Sequence, residues 1–333
     1  MVNPLARVAG VFCACLAVVS STPAQEPIRV NVQEVIVPVT VTGDKGKFVA
    51  NLEKKDFKLF DEGKQQTIEY FSREHNQAVV VGFLIDLSNA NRSGWKDFQE
   101  AAEEMVLTLL PGDPKYSGYL IGYSSDAEVM VDTTSDPDPI VNRIKKLRPG
   151  GGSALYDAIF QACTNRKLVP GEPNEPRRVI IIIGDGHDNS SKKTLNEVIE
   201  LAQREQVTIY GVSTVADFPN GAEDTLVRLA NETGGKVEYP RQNMYTDISG
   251  YLQVPRDGGN FAYDLGTGGY ANARATKLFG AIADLSGEIT LQYVLRFIPD
   301  IPPNSKKVRR ELRVDVSLPD VHVRARPAYF PNQ

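Results

Sequence analysis

The fold is decided by the stretch Val79-Val80-Val81-Gly82-Phe83-Leu84-Ile85-Asp86, in which an uncharged apolar run ends at a carboxylate. A continuous run of this length suits a strand that is covered on both faces, as strands of parallel sheets are. A second run of the same kind, Val179-Ile180-Ile181-Ile182-Ile183, leads through Gly184 to Asp185. These two runs predict two central strands of a parallel sheet, each followed by an aspartate.

Around these two runs, short apolar segments alternate with segments of helical periodicity. Further strands are predicted at residues 119–123, 128–131, 208–212 and 236–238. Helices are predicted at residues 98–110, 140–147, 154–168, 195–205 and 224–232. This alternation predicts an α/β fold with a doubly wound, mainly parallel sheet.

The two ends of the chain show a different pattern of short, alternating strands, at residues 27–75 and 289–333. Neither segment is large enough to form a stable sheet of its own. We therefore expect them to pack together as a smaller β-sandwich, into which the α/β domain of residues 78–288 is inserted. Within that domain, residues 242–273 are rich in Gly, Tyr, Asn and Asp with little periodicity, and we expect an irregular insertion there, followed by a helix at 274–285.

The first residues have the features of a secretory signal peptide, residues 1–24. Arg7 precedes an apolar run at 8–19, and small residues at 20–24 suit cleavage near Ala24. The run is shorter than the roughly 20 residues that span a bilayer, so no transmembrane segment is expected in the mature chain. The protein is therefore expected to be secreted or periplasmic, with Cys163 as a buried thiol in a mature chain without disulfides.

Charge excludes one class of partner. The net charge is −5 with 24% charged residues, so the basic excess that would neutralise a phosphate backbone is absent and no nucleic-acid partner is expected. The local basic stretches at 306–310 and 177–178 are expected to be exposed residues at the entrances of strands.

Three predicted loops converge on the carboxyl edge of the sheet, where ligands of open parallel sheets bind. The first carries Asp86 and Ser88, and the third begins at Asp185. Between them, the glycine turn at 150–152 leads to Ser153. Carboxylate and hydroxyl oxygens without a His or Cys cluster suit Mg²⁺, Ca²⁺ or Mn²⁺. A cation with so few charged ligands keeps a place for an acidic group of a partner.

At these positions the sequence resembles the von Willebrand factor type A family. Its metal-ion-dependent adhesion site combines Asp-x-Ser-x-Ser, matched by Asp86 and Ser88, with a Thr replaced here by Ser153 and an Asp matched by Asp185. Ala90 stands at the second serine, and Gly184 where Thr or Ser is common. Segments 37–41, 56–63, 292–295 and 323–327 also resemble the flanks of a bacterial exported subgroup. The resemblance implies cation-assisted protein binding, in adhesion or as a scaffold, and no catalysis.

Three alternatives come from the same residues. The glycine turn before a helix resembles a phosphate-binding loop, but the lysine of such loops is absent. Ser88, His187 and Asp185 or Asp188 could form a hydrolytic triad, although no nucleophile elbow surrounds the serine. The third alternative is a metal-independent interaction or structural module with a degenerate site, which would use the 242–273 insertion as its contact surface.

Overall fold

The computed structural model describes residues 34–44, 46–73, 78–92, 95–169, 176–214, 225–240, 260–301 and 309–331, with only the backbone of 260–274. The predicted signal peptide lies outside the described residues. The described strands are, in chain order, β1 (Val35–Gly43), β2 (Phe57–Asp61), β3 (Lys64–Gln66), β4 (Tyr70–Ser72), β5 (Val79–Asp86), β6 (Tyr116–Tyr123), β7 (Ala127–Thr134), β8 (Arg177–Gly184), β9 (Val207–Ser213), β10 (Val237–Glu238), β11 (Tyr293–Phe297), β12 (Arg310–Val316), β13 (Val321–Ala325) and β14 (Ala328–Tyr329). The described α-helices are α1 (Trp95–Leu109), α2 (Asp138–Ile144), α3 (Leu155–Thr164), α4 (Leu195–Arg204), α5 (Thr225–Thr233) and α6 (Asn260–Leu291).

The central sheet has six strands in the order β10-β9-β8-β5-β6-β7. All neighbouring pairs are parallel except β6 and β7, which pair in antiparallel fashion at one edge. Every residue of β5 and β8 is buried, as expected for apolar runs that are covered on both faces. The predicted doubly wound, mainly parallel sheet is confirmed.

Helices cover the sheet on both faces. Helices α1, α2 and α6 pack on the face that contains Phe83 and Ile85. Helices α3, α4 and α5 pack on the opposite face, which contains Leu84, Ile180 and Ile182. The alternation of side chains along β5 therefore supplies both cores from one strand.

The chain ends form two antiparallel sheets, in the orders β13-β1-β11-β4 and β14-β12-β2-β3. Strand β1 pairs with β11 and β13, and β2 pairs with β12, so each sheet combines strands from both ends of the chain. The two sheets share one core, in which Val37, Leu59, Leu295 and Val314 are buried. The predicted β-sandwich from both chain ends is confirmed.

The sequence predicts an irregular insertion at 242–273. For residues 260–273, which the structure describes, this expectation is wrong, because α6 begins at Asn260. Residues 241–259 lie outside the described residues. The end of α6 is anchored by Leu278, Ile282, Leu285 and Ile289, which pack on the core with helical spacing. Extending an anchored helix costs far less than nucleating one, which explains why a weakly periodic segment is helical. The same helix continues to Leu291, so the strand predicted from residue 289 begins at Tyr293.

The expectation that residues 177–178 are exposed is also wrong. Arg177 and Arg178 are 6% and 4% exposed. Arg177 donates to the carbonyl of Ile289 in α6, and Arg178 pairs with Glu205 at 2.7 Å. Both arginines thus join elements that are distant in sequence.

None of the described helices is both long enough and apolar enough to cross a membrane.

Candidate metal-binding site

The central strands β5 and β8 lie side by side in the sheet, and their carboxyl ends are adjacent. After these two strands the chain continues to opposite sides of the sheet. From β5 the chain continues to β6 on one side, whereas β8 is followed by β9 on the other. Such a topological switch point leaves a crevice that open α/β sheets use for ligands. Asp86 is the last residue of β5, and Asp185 directly follows β8.

Backbone hydrogen bonds tie the three predicted loops together. Gly150 N–H donates to the carbonyl of Leu87 at 2.6 Å, and Asn89 N–H donates to the carbonyl of Gly151 at 3.1 Å. The glycine turn is in turn joined to the third loop, because Asn189 N–H donates to the carbonyl of Ser153 at 2.9 Å. The loops that carry all four predicted ligands therefore adjoin one another.

Asp86 and Ser88 are almost fully buried, with exposures of 1% and 5%. The backbone N–H of Ser88 donates to Asp86 Oδ1 at 2.7 Å. Asp86 Oδ2 and Ser88 Oγ are buried without a hydrogen bond of normal geometry to any described residue. A buried polar atom in this state costs about 1–3 kcal/mol unless a ligand or water satisfies it.

Burial also governs the charge of Asp86. It raises the pKa of this carboxyl to about 6 from the ordinary 3.8, against the opposing effects of the Ser88 N–H and of the Ser88 and Asn91 side chains. The Asp185 carboxylate is close enough to raise the pKa of Asp86 further by repulsion. A cation between the two loops would relieve both effects, because it favours the ionised forms of both groups.

Ser153 and Asp185 complete the predicted set. Ser153 is 3% exposed, and its Oγ donates to the carbonyl of His187 at 2.7 Å, which leaves the oxygen lone pairs available. Asp185 Oδ1 accepts the His187 N–H at 2.9 Å, and its other oxygen lies 3.4 Å from His187 Nδ1. The described residues contain no group of three or more His, Cys, Asp or Glu side chains suited to a metal. The candidate set itself consists of two carboxylates, from Asp86 and Asp185, and two hydroxyls, from Ser88 and Ser153.

The residues suggested for a hydrolytic triad do not form one. The imidazole of His187 is 81% exposed and faces Asp185, whereas Ser88 is buried. Asp188 has a structural role, because its Oδ2 accepts from Tyr156 N–H at 2.9 Å and from Ser191 Oγ at 2.6 Å.

The two departures from the family pattern differ in their surroundings. Ala90 is exposed, and its side chain offers no oxygen. At Gly184 the space of a side chain is already taken, because a Cβ there would lie 2.5 Å from Tyr123 Oη and 2.7 Å from Asp86 Cβ. Sequence reasoning missed Tyr123 at this site, since only the pairing of Tyr123 with Asp86 across β5 and β6 places it there.

These observations define an α/β domain whose open sheet carries carboxylate and hydroxyl oxygens on adjoining loops at its switch point. Residues 81–248, about half of the chain, match the von Willebrand factor type A domain. The chain belongs to the von Willebrand factor type A domain family. The comparison with curated proteins found no match.

Solved structures with a similar fold come from diverse sources. One is an aerotolerance-related membrane protein from Bacteroides fragilis, at 19% identity over 48% of this chain and 90% of that chain, with a TM-score of 0.38. Another is a von Willebrand factor type A protein from Catenulispora acidiphila, at 12% identity over 82% and 75% of the respective chains, with a TM-score of 0.41. A third is proximal thread matrix protein 1 from the mussel byssus with a zinc-occupied MIDAS motif, at 16% identity over 63% and 48%, with a TM-score of 0.42.

Proposed function

We propose that this protein binds a protein partner through a divalent cation held by Asp86, Ser88, Ser153 and Asp185. The observation that carries this proposal is the pair of buried oxygens, Asp86 Oδ2 and Ser88 Oγ, that lack hydrogen bonds of normal geometry at the carboxyl edge of the sheet. One cation satisfies both atoms at once, which removes the cost of burying them unpaired. The hard oxygen donors favour Mg²⁺, with Ca²⁺ and Mn²⁺ as the other candidates.

The composition of the site supports a role in binding. Two carboxylates balance the formal charge of the ion, but the remaining donors are neutral hydroxyls, so the site retains affinity for a further anionic oxygen. An acidic side chain of the partner supplies that oxygen. Von Willebrand factor type A domains commonly mediate interactions between proteins, which agrees with this role.

The N-terminal signal-peptide pattern supports a location outside the cytoplasm. We propose that the protein is exported to the periplasm or beyond the cell, where it acts as an adhesion or scaffold protein. The β-sandwich from both chain ends then serves as the base on which the cation-binding edge is presented.

The cation is tested by titration of the EDTA-treated protein with MgCl₂, CaCl₂ and MnCl₂, followed by calorimetry and thermal unfolding. Saturating cation is expected to stabilise the fold, by about 2.7 kcal/mol at a concentration 100 times the Kd. Asp86→Asn, which keeps the shape and removes the charge, is expected to abolish the binding heat. Asp132→Ala, which changes an exposed residue of strand β7, is the control and should bind as the wild type does.

A metal-independent module is the second candidate, and the exposed Ala90, whose side chain offers no oxygen, favours it. If neither binding heat nor stabilisation is observed with any of the three cations, the cation proposal is wrong and this second candidate takes its place. The 242–259 part of its suggested contact surface lies outside the described residues.

A further inference from the structure

Tyr123 and Gly184 form an unusual pair beside the candidate site. The position that a Cβ would take at Gly184 is 2.5 Å from Tyr123 Oη and 3.1 Å from Asp86 Oδ2. The tyrosine hydroxyl therefore lies in the space that a side chain at residue 184 would occupy. Gly184 is the position at which Thr or Ser is common in the family pattern, and here the hydroxyl of Tyr123 reaches the same space from β6, two strands away in the sheet.

The two oxygens that flank this space both lack a well-formed hydrogen bond. Tyr123 Oη and Asp86 Oδ2 are each buried without a hydrogen bond of normal geometry to a described residue. The phenol can donate one hydrogen bond and the ionised carboxylate can only accept, so the pair is chemically complementary. Burial, reinforced by repulsion from Asp86, Asp185 and Asp188, raises the pKa of Tyr123 well above its ordinary value and keeps it a neutral donor.

We propose that Tyr123 is a positioning residue of the cation site, whose hydroxyl replaces the one missing at Gly184 and donates to Asp86 Oδ2 in the ion-bound state. This inference rests on the proposed cation-binding function. A hydrogen bond to Oδ2 holds the carboxylate in one orientation and stabilises its charged form, and the charged form is the one that binds the ion.

The same strand contains a matched control. Tyr119 lies four residues before Tyr123 on the same face of β6 and is also fully buried. It packs over Gly82 of β5, and a Cβ at Gly82 would collide with the Tyr119 hydroxyl in the same way. However, the Tyr119 hydroxyl points to the carbonyl of Ala162 in α3, at 3.5 Å, and not to the site.

The experiment compares Tyr123→Phe with Tyr119→Phe by calorimetric titration of EDTA-treated protein with MgCl₂ and by urea unfolding without metal. Tyr123→Phe is expected to weaken Mg²⁺ binding about tenfold, the factor of one hydrogen bond to a charged group. Its urea midpoint without metal should be equal to or above that of the wild type, because Phe removes a buried hydroxyl without a partner. Tyr119→Phe should leave Mg²⁺ affinity within about twofold of wild type.

A residue that only packs would not produce this separation of affinity from stability. Equal Mg²⁺ affinities of wild type and Tyr123→Phe would overturn the role of Tyr123 and leave the cation site itself intact. Equal losses of affinity in both variants would show a general effect of packing along β6, and would also overturn it. If the wild type binds no Mg²⁺, Ca²⁺ or Mn²⁺, the proposed function fails and the role of Tyr123 fails with it.

Discussion

Asp86 is one of the two carboxylates of the site, and its buried environment makes the stability of the metal-free protein sensitive to pH. Its folded-state pKa of about 6 lies above the ordinary 3.8, so the protonated form is favoured in the fold. The corresponding stabilisation is fully present below about pH 4 and is lost as the pH rises through about 6. The shift corresponds to roughly 3 kcal/mol.

This pH dependence is tested by urea unfolding of EDTA-treated wild type and Asp86→Asn between pH 4 and 7.5. The amide does not titrate, so Asp86→Asn should match the wild type near pH 4 and exceed its free energy of unfolding at pH 7.5. A difference between the two proteins that is constant with pH would contradict the prediction. Because the ion requires the ionised carboxylate, wild-type Mg²⁺ affinity is expected to fall below about pH 6.

The prediction that Cys163 is a buried thiol is confirmed. It is buried in α3, and burial raises the pKa of the thiol to about 12. Thiolate, the reactive form, is therefore scarce at neutral pH. The residue packs as a small apolar side chain between the sheet and α3.

At the scale of elements, α3 and α4 begin in contrasting ways. Helix α4 has a local capping box, in which Thr194 and Glu197 satisfy each other's backbone N–H groups. Helix α3 starts after Ala154, which has no side chain that can cap. Its free N–H groups at Tyr156 and Asp157 instead donate to Asp188 Oδ2 and Ser191 Oγ, both from the loop after β8.

The cap of α3 thus also holds the third loop of the candidate site in place. Asp188→Ala is expected to lower the free energy of unfolding by about 1–2 kcal/mol, because it removes a charged cap from a helix N-terminus. It should also weaken Mg²⁺ binding, since the loop that contains Asp185 loses its tether. Thr194→Ala is the control, with a loss of about 1 kcal/mol and unchanged Mg²⁺ affinity. Urea unfolding and calorimetry measure both quantities, and an Asp188→Ala protein with wild-type values would refute this role.

At the scale of the whole molecule, a buried polar network joins the α/β part to the β-sandwich. Glu288 of α6 accepts from Thr40 Oγ1 of β1 at 3.1 Å and forms ion pairs with Lys236, at 3.5 Å, and with Arg324 of β13. Gln292 donates to Thr40 Oγ1 at 2.9 Å and to Tyr210 Oη at 2.8 Å. Glu288 is 7% exposed, and the side chains of Thr40, Lys236 and Arg324, from three distant parts of the chain, meet at its carboxylate.

Removal of Glu288 should destabilise the molecule as one unit. Glu288→Ala leaves Arg324 without its carboxylate, whereas Lys236 keeps its ion pair with Glu238 at 2.7 Å. We expect a loss of about 2–4 kcal/mol, below the upper range for fully buried pairs because Lys236 and Arg324 are partly exposed. Glu100→Ala, which removes an exposed pair with Lys96, should cost less than about 0.5 kcal/mol. Urea unfolding followed by Trp95 fluorescence and by circular dichroism measures both. Superimposable wild-type and Glu288→Ala curves would show that this junction contributes nothing.

The sequence alone determined the architecture, because burial on both faces of β5 and β8 requires continuous apolar runs, and such runs are visible without any contact. It also identified the polar loops at the ends of those strands, whose residues form the proposed cation site. Tertiary structure decided what lies between distant segments. Arg177 and Arg178 are buried because α6 and Glu205 cover them, and Asp188 caps a helix that begins more than 30 residues earlier.

The pair of Tyr123 and Gly184 shows why the sequence predicts burial but does not predict contacts between distant segments. Periodicity along a chain reports whether a side chain is buried, but it does not report which neighbour fills the space above a glycine. That neighbour depends on the order of strands, here β8-β5-β6, which brings a tyrosine of β6 across β5 to the end of β8. The hydroxyl that is missing from the sequence pattern at residue 184 is therefore found only in three dimensions.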